Sequence, residues 1–177
     1  MVDLKKIYDR HTQVGRKDLG GEAPLNDEIQ LILLIIFLAV WGVDSFWIKQ
    51  TTFLGAFVPL ILRILLGLFL LFWWGYLTWY GLAVIFGEER ATPNVVRKGP
   101  FGYVRHPIYL ASIIFYLGLT AFTFSLASLA LSIVAFIYYN FAAIYEEKLL
   151  IAKYGDEYKK YMAEVGRLLP KLSSLRH

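Results

Sequence analysis

The sequence predicts an all-α, polytopic membrane protein with about four transmembrane helices: two long N-terminal spans, a C-terminal helical hairpin, and cytoplasmic termini. Three observations lead there. Hydrophobic residues make up 58% and aromatics 17% of the 177 residues, with a mean hydropathy of +0.53, against about 45–50% apolar in soluble domains. The apolar runs reach the ~20 residues that a ~30 Å hydrocarbon core demands of a helix. The charges are one-sided: of 18 Lys and Arg, five precede the first span, four lie in Glu88–His106 and seven follow Glu147, leaving Lys49 and Arg63 on the other side. Basic loops stay on the cytoplasmic face.

The first span is expected from Ile29 to Ile48, opening on an apolar run and closing on Trp41, Phe46 and Trp47, the aromatics of a membrane–water interface. The second apolar stretch runs from about Ala56 to Gly87. At 1.5 Å per residue it spans roughly 48 Å, so it must tilt or protrude. After the polar loop Glu88–His106, a helix should start at Pro107 and end near Phe122. Proline suits a first helical turn and pushes the preceding residue out of the α region. Thr123, Ser125 and Ser128 then lead into a long helix from Leu126 to Tyr154, which Gly155 should stop. The domain plan is a cytoplasmic segment 1–28, a membrane domain 29–154 holding the loop 88–106, and an amphipathic cytoplasmic tail 155–177 that could lie on the membrane surface.

Composition also excludes. There is no cysteine, so disulfides, thiol nucleophiles and thiolate metal sites are ruled out. His11, His106 and His177 lack the spacing of helical metal ligands, and no metal is expected. The net charge of +4 is spread through loops rather than along one face, which argues against a nucleic-acid partner. Residues 1–28 mix both charges without an apolar stretch and cleavage site, so no cleaved signal peptide is expected.

Two clusters could carry chemistry. Arg105, His106 and Pro107 sit at a helix start, where free backbone N–H groups and the positive dipole end favour a carboxylate or phosphate. Glu146 and Glu147 lie about 20 residues, or ~30 Å, into the last helix, which returns them to the same interface. Being adjacent, they point about 100° apart, so each should have its own partner, one a cationic ligand and the other a structural arginine. The plain alternative is a solvated pair of acids and an ordinary interfacial cap. The intramembrane charges Asp44 and Arg63 are read as a structural pair near the outer interface.

The stretches KGPFGYVRHPIYLA (Lys98 to Ala111) and YEEKLLIAKYGDEYKKYMAEVGRLLP (Tyr145 to Pro170) resemble the isoprenylcysteine carboxyl methyltransferase and phospholipid methyltransferase superfamily, over about the C-terminal half. The resemblance implies an enzyme dependent on S-adenosylmethionine, releasing S-adenosylhomocysteine. Its cofactor would lie among the loop before Arg105, the helix start and the helix bearing the two glutamates. Val95, Val96 and Gly99 would line that pocket through backbone, with Tyr103 and Tyr109 nearby. Arg105, His106 and Pro107 would face the cofactor's carboxylate, and Glu146 and Glu147 its ammonium, sulfonium or ribose hydroxyls. Arg105, Glu147 and Tyr109 are the catalytic candidates, Glu147 or Tyr109 taking a proton where the acceptor is an amine.

Two positions depart from the isoprenylcysteine branch. Pro93 stands in the region of a histidine, and Ala142 stands where that branch has an arginine. Lipids and small hydrophobic thiols therefore join the prenylcysteine carboxylate as methyl acceptors. The implied setting is a bilayer, the plasma membrane in a prokaryote or the endoplasmic reticulum in a eukaryote, with the site facing the cytoplasm and residues 1–28 a candidate lid. A non-catalytic membrane protein of the same fold and a nicotinamide-dependent sterol-type reductase are the competing readings.

Overall fold

The computed structural model describes residues 25–86 and 94–171, and these residues build an all-helical chain. Pro93, nearly all of the 1–28 segment, the start of the 88–106 loop and the end of the tail lie outside them. In order come α1 (Asn26–Gly42), a π-helical turn (Val43–Ile48), a 3-10 turn (Phe53–Phe57), α2 (Leu60–Phe86), a 3-10 turn (Gly99–Gly102), α3 (Pro107–Thr123), α4 (Leu126–Tyr154) and α5 (Asp156–Glu164). Asn26–Ile48, Leu60–Ile85 and Leu126–Tyr154 are long and apolar enough to cross a membrane. Helix α3, at 17 residues, rises about 25 Å and is shorter than those three spans.

The hairpin helices begin and end where the sequence places them, and Gly155 ends α4 with a φ of 56°, a left-handed conformation that costs glycine nothing. Helix α2 starts later than expected. It begins at Leu60, not Ala56, because Pro59 forces Val58 into extended backbone (φ −116°, ψ 121°) and isolates Phe53–Phe57 as a separate turn. The carbonyl of Pro59 then accepts from Leu62 N–H at 3.0 Å. Along α2 Leu62, Leu65, Leu66, Leu68, Phe69 and Phe72 are all exposed. A broad exposed apolar face of this kind is what a helix presents to lipid.

The chain divides into two units, one with residues 77–86, 94–108 and 143–171, the other with 25–76 and 109–142 among those described. The second unit is organised around a hairpin. Phe124 takes a φ of 53° between α3 and α4, and Ser128 N–H donates to Ser125 Oγ at 3.1 Å, capping α4. Thr51 satisfies two more free N–H groups, Leu126 through its carbonyl at 3.1 Å and Ala127 through its hydroxyl at 3.0 Å. Ser125, Ser128 and Ser132 are fully buried on one face of α4, and the hydroxyl of Thr120 on α3 reaches Ser128 at 3.0 Å. Small polar side chains let two helices approach closely where no water separates them.

Asp44 does not pair with Arg63. Its carboxylate accepts from Thr51 N–H at 3.1 Å, Thr51 hydroxyl at 2.5 Å and Ser125 hydroxyl at 2.6 Å. The π-helical turn widens the helix enough to bury both Asp44 and Ser45, and this brings Asp44 to the N-terminus of α4. A carboxylate there meets free donors and a favourable dipole, which satisfy it without a cation.

Replacing Asp44 with Ala strands three buried donors, and a loss of about 2 kcal/mol is expected. Thermal unfolding in detergent should show strong coupling between Asp44→Ala and Ser125→Ala and none between Asp44→Ala and Arg63→Ala. Coupling to Arg63 of comparable size would reinstate the ion pair.

Candidate active site

In the unit with residues 77–86, 94–108 and 143–171, the chain doubles back on itself. Gly99 opens the 3-10 turn with a φ of 59°, and a Cβ there would come within 1.9 Å of the Tyr80 ring, so glycine is required twice over. Beyond the turn Val104 forms a parallel bridge with Gly166. Arg105 N–H donates to Gly166 O at 2.8 Å and His106 N–H to Arg167 O at 3.1 Å. The backbone donors of Arg105 and His106 are therefore bound to the returning tail. Tyr161 locks the same turn by donating to Phe101 O at 2.6 Å. With Tyr158 and Val165 it forms a buried cluster against which Val95 packs. Burial pushes both tyrosine hydroxyls above their ordinary pKa, keeping them neutral donors.

Beside this turn lies a buried charge cluster. Arg105 donates to Glu147 Oε1 from Nε at 2.9 Å and from Nη2 at 2.7 Å. Its Nη1 binds the carbonyls of Met162, at 3.1 Å, and Val165. Arg167 reaches Glu147 Oε2 from Nε at 3.1 Å and from Nη2 at 2.8 Å. Both Glu147 oxygens thus accept from guanidinium groups, the strongest donors available, and the side chain is 3% exposed. Its neighbour has a different environment. Glu146 is 15% exposed and its Oε2 lies 3.3 Å from His106 Nδ1. His106 Nε2 lies 3.4 Å from Glu147 Oε1, so the imidazole sits between the two carboxylates.

Burial alone would lower the His106 pKa, but the two flanking carboxylates of Glu146 and Glu147 outweigh it and hold the ring above its ordinary value.

The structure brings together Val95, Gly99, Arg105, His106, Pro107, Glu146 and Glu147 within one unit. Val96 is half-buried in its loop and Tyr103 is 49% exposed. Tyr109 belongs to the other unit, where its hydroxyl accepts from Asn26 Nδ2 at 3.0 Å and its ring lies 5.3 Å from that of Tyr139. Asn26 also accepts from Tyr138 hydroxyl at 2.8 Å. Ala142, in the same unit, is buried. Arg167, Tyr158, Tyr161, Tyr80 and Asn26 were not anticipated. Arg167 stands 20 residues beyond Glu147 with nothing in its spacing to link them. Tyr158 and Tyr161 lay within the second recognised stretch and could have been found there, whereas Tyr80 lies outside both stretches.

Glu147→Gln leaves two guanidinium groups without their counter-charge in a buried site and should cost about 3–5 kcal/mol. Glu146→Gln should cost far less, and chemical unfolding of the two variants compares them directly. His106 also makes stability depend on pH. Its folded pKa exceeds the unfolded one, so its contribution is complete below about pH 6.5 and disappears as pH rises through the raised value. Melting curves across that range should lose this slope in His106→Asn; a slope unchanged by the substitution would refute the assignment.

Residues 61–157, more than half of the chain, match the phospholipid methyltransferase family. The methanethiol S-methyltransferase of Crocosphaera subtropica is 28% identical over 151 residues, covering 79% of this chain and 57% of that protein. Methanethiol S-methyltransferase 1 of Bradyrhizobium diazoefficiens is 33% identical over 84 residues, 48% of this chain and 29% of its own length. The cobalt-zinc-cadmium resistance protein CzcN of Cupriavidus metallidurans is 33% identical over 87 residues, 49% of this chain and 40% of its own. The chain spans roughly half or less of the length of these curated relatives. The matched segment contains α3, α4, the loop before them and the Arg105–Glu147 pair, and the chain is an integral membrane protein that belongs to the phospholipid methyltransferase family.

Proposed function

We propose that this protein is an S-adenosylmethionine-dependent methyltransferase acting on a lipophilic acceptor, with its site at the cytoplasmic face. The observation that carries the proposal is the division between the adjacent glutamates. Glu147 is enclosed by two arginines, while Glu146 stays partly exposed beside His106. A carboxylate that keeps part of its surface exposed can still accept from an ammonium or from ribose hydroxyls, and residues 97–99 of the same unit are exposed. That donor set fits S-adenosylmethionine in its chemistry. When bound, the cofactor supplies an electrophilic methyl group on a sulfonium.

The chain's own contribution is positioning. Arg105, Glu147 and Arg167 hold the start of α3 against the end of α4 and the tail, and so fix Glu146 and His106. Neither Arg105 nor Glu147 is arranged to exchange a proton during turnover, since their donors and acceptors are engaged with one another and with backbone. The Tyr109 hydroxyl accepts from Asn26. Because Arg105 and Glu147 are engaged with one another, the site suits an acceptor that arrives as an anion, since a thiolate needs no proton acceptor at the transition state whereas an amine does. Two relatives are methanethiol S-methyltransferases. We therefore favour a small hydrophobic thiol, with a phospholipid amine, as the family description suggests, as the second reading.

Calorimetry on detergent-purified protein should detect S-adenosylmethionine and S-adenosylhomocysteine but not NADPH. Glu146→Gln should weaken the sulfur nucleotides about tenfold, the effect of losing one charge-assisted contact, while melting close to wild type. Failure of both sulfur nucleotides to bind the folded wild-type protein would reject the reading. Incubation with labelled methyl donor and either methanethiol or phosphatidylethanolamine then separates the acceptors.

A further inference from the structure

The second unit, residues 25–76 and 109–142, contains a cavity of about 260 Å³ lined by Ser45, Lys49, Thr52, Gly55, Arg63 and Thr123, with Ala56 at its edge. It shares no residue with the Arg105 cluster. Two cations and three hydroxyls converge on it, and no carboxylate lines it. The nearest acid in sequence, Asp44, spends its oxygens on Thr51 and Ser125. Neither Lys49 nor Arg63 forms an ion pair among the described residues.

The Arg63 side chain is half-buried. Arg63 lies in the first turn of α2, and a Cβ at Gly55 would be 2.7 Å from its Nη1, so the guanidinium packs directly against the Gly55 turn. Its Nε is buried without a hydrogen-bond partner. A buried, unmatched cationic donor costs free energy that an anion would recover. Hydroxyls beside it and the positive end of a long helix complete a set suited to tetrahedral oxyanions. Close in sequence to lining residues, Trp47, Phe53 and Phe57 are exposed apolar aromatics, as expected where a protein surface meets lipid headgroups and the upper acyl chains.

We propose that this cavity binds the phosphate group of a membrane phospholipid, Arg63 and Lys49 pairing with the phosphate oxygens and the aromatic rim resting against the acyl chains. The charge count sets these two cations apart from the other sixteen, which the site explains: they are retained for a lipid anion rather than for topology.

Native mass spectrometry of the detergent-purified full chain tests this with phosphatidylglycerol and with diacylglycerol of the same acyl chains. Wild type should retain phosphatidylglycerol and release diacylglycerol. The double variant Lys49→Gln, Arg63→Gln should retain about tenfold less phosphatidylglycerol with an unchanged helical circular dichroism spectrum. Ala56→Phe, which fills the cavity and keeps both cations, should reduce retention as well, so the test survives a double variant that does not fold. Equal retention of diacylglycerol, or full phosphatidylglycerol retention in Ala56→Phe, would overturn the site. Displacement of the lipid by millimolar inorganic phosphate would overturn the lipid as the source of the anion.

Discussion

The unit built from residues 77–86, 94–108 and 143–171 depends on a single carboxylate. Glu147 receives Arg105 from the loop before α3 and Arg167 from the segment after α5, so three stretches of chain that are remote in sequence are fixed at one point. Arg105 extends the arrangement by binding the carbonyls of Met162 and Val165, which closes the end of α5 with a cation where the helix dipole favours one. A buried ion pair of this kind adds little net stability over well-packed apolar residues, because desolvation offsets the attraction. What it does supply is a geometry: any other placement of the three segments leaves a charge buried and unmatched. The backbone bonds from Arg105 and His106 to Gly166 and Arg167 then follow from that placement.

The fold was largely legible in the sequence because membrane helices obey short-range rules. Apolar length, Pro107 at a first turn and Gly155 at a last turn act within a few residues of where they stand, and the observed bounds of α3 and α4 agree with them. The miss at Ala56 was of the same local kind: Pro59 carried the signal, and the apolar run around it obscured it. The Asp44 error was different. Two opposite charges in one hydrophobic layer suggest a pair, but hydroxyls and free helix N–H groups are an equally good counterpart for a carboxylate, and sequence shows neither the π-helical turn nor Thr51 beside α4.

The candidate site was legible as a set of residues and less so as a set of roles. Helical geometry required Glu146 and Glu147 to have separate partners and foresaw one structural arginine, yet it could not say which glutamate took which part. That depended on Arg167, which no periodicity connects to the pair. The same limit explains Arg105. A basic side chain at a helix start suggests an anion site by charge alone, whereas its hydrogen-bonding capacity is met within the chain by Glu147 and two carbonyls.

This separation of roles gives His106 its place. Its Nδ1 faces Glu146 and its Nε2 faces Glu147, so it touches both the structural carboxylate and the partly exposed one. A protonated imidazole between two carboxylates is favourable only while both remain charged. Drawing Glu146 towards a cationic ligand would weaken its hold on His106 and so lower the imidazole's proton affinity. The ligand would then be coupled to the charge cluster through one proton, with no backbone movement required. Adjacent acidic residues on a helix achieve this because the angle between them separates their partners while a single ring can still span the gap.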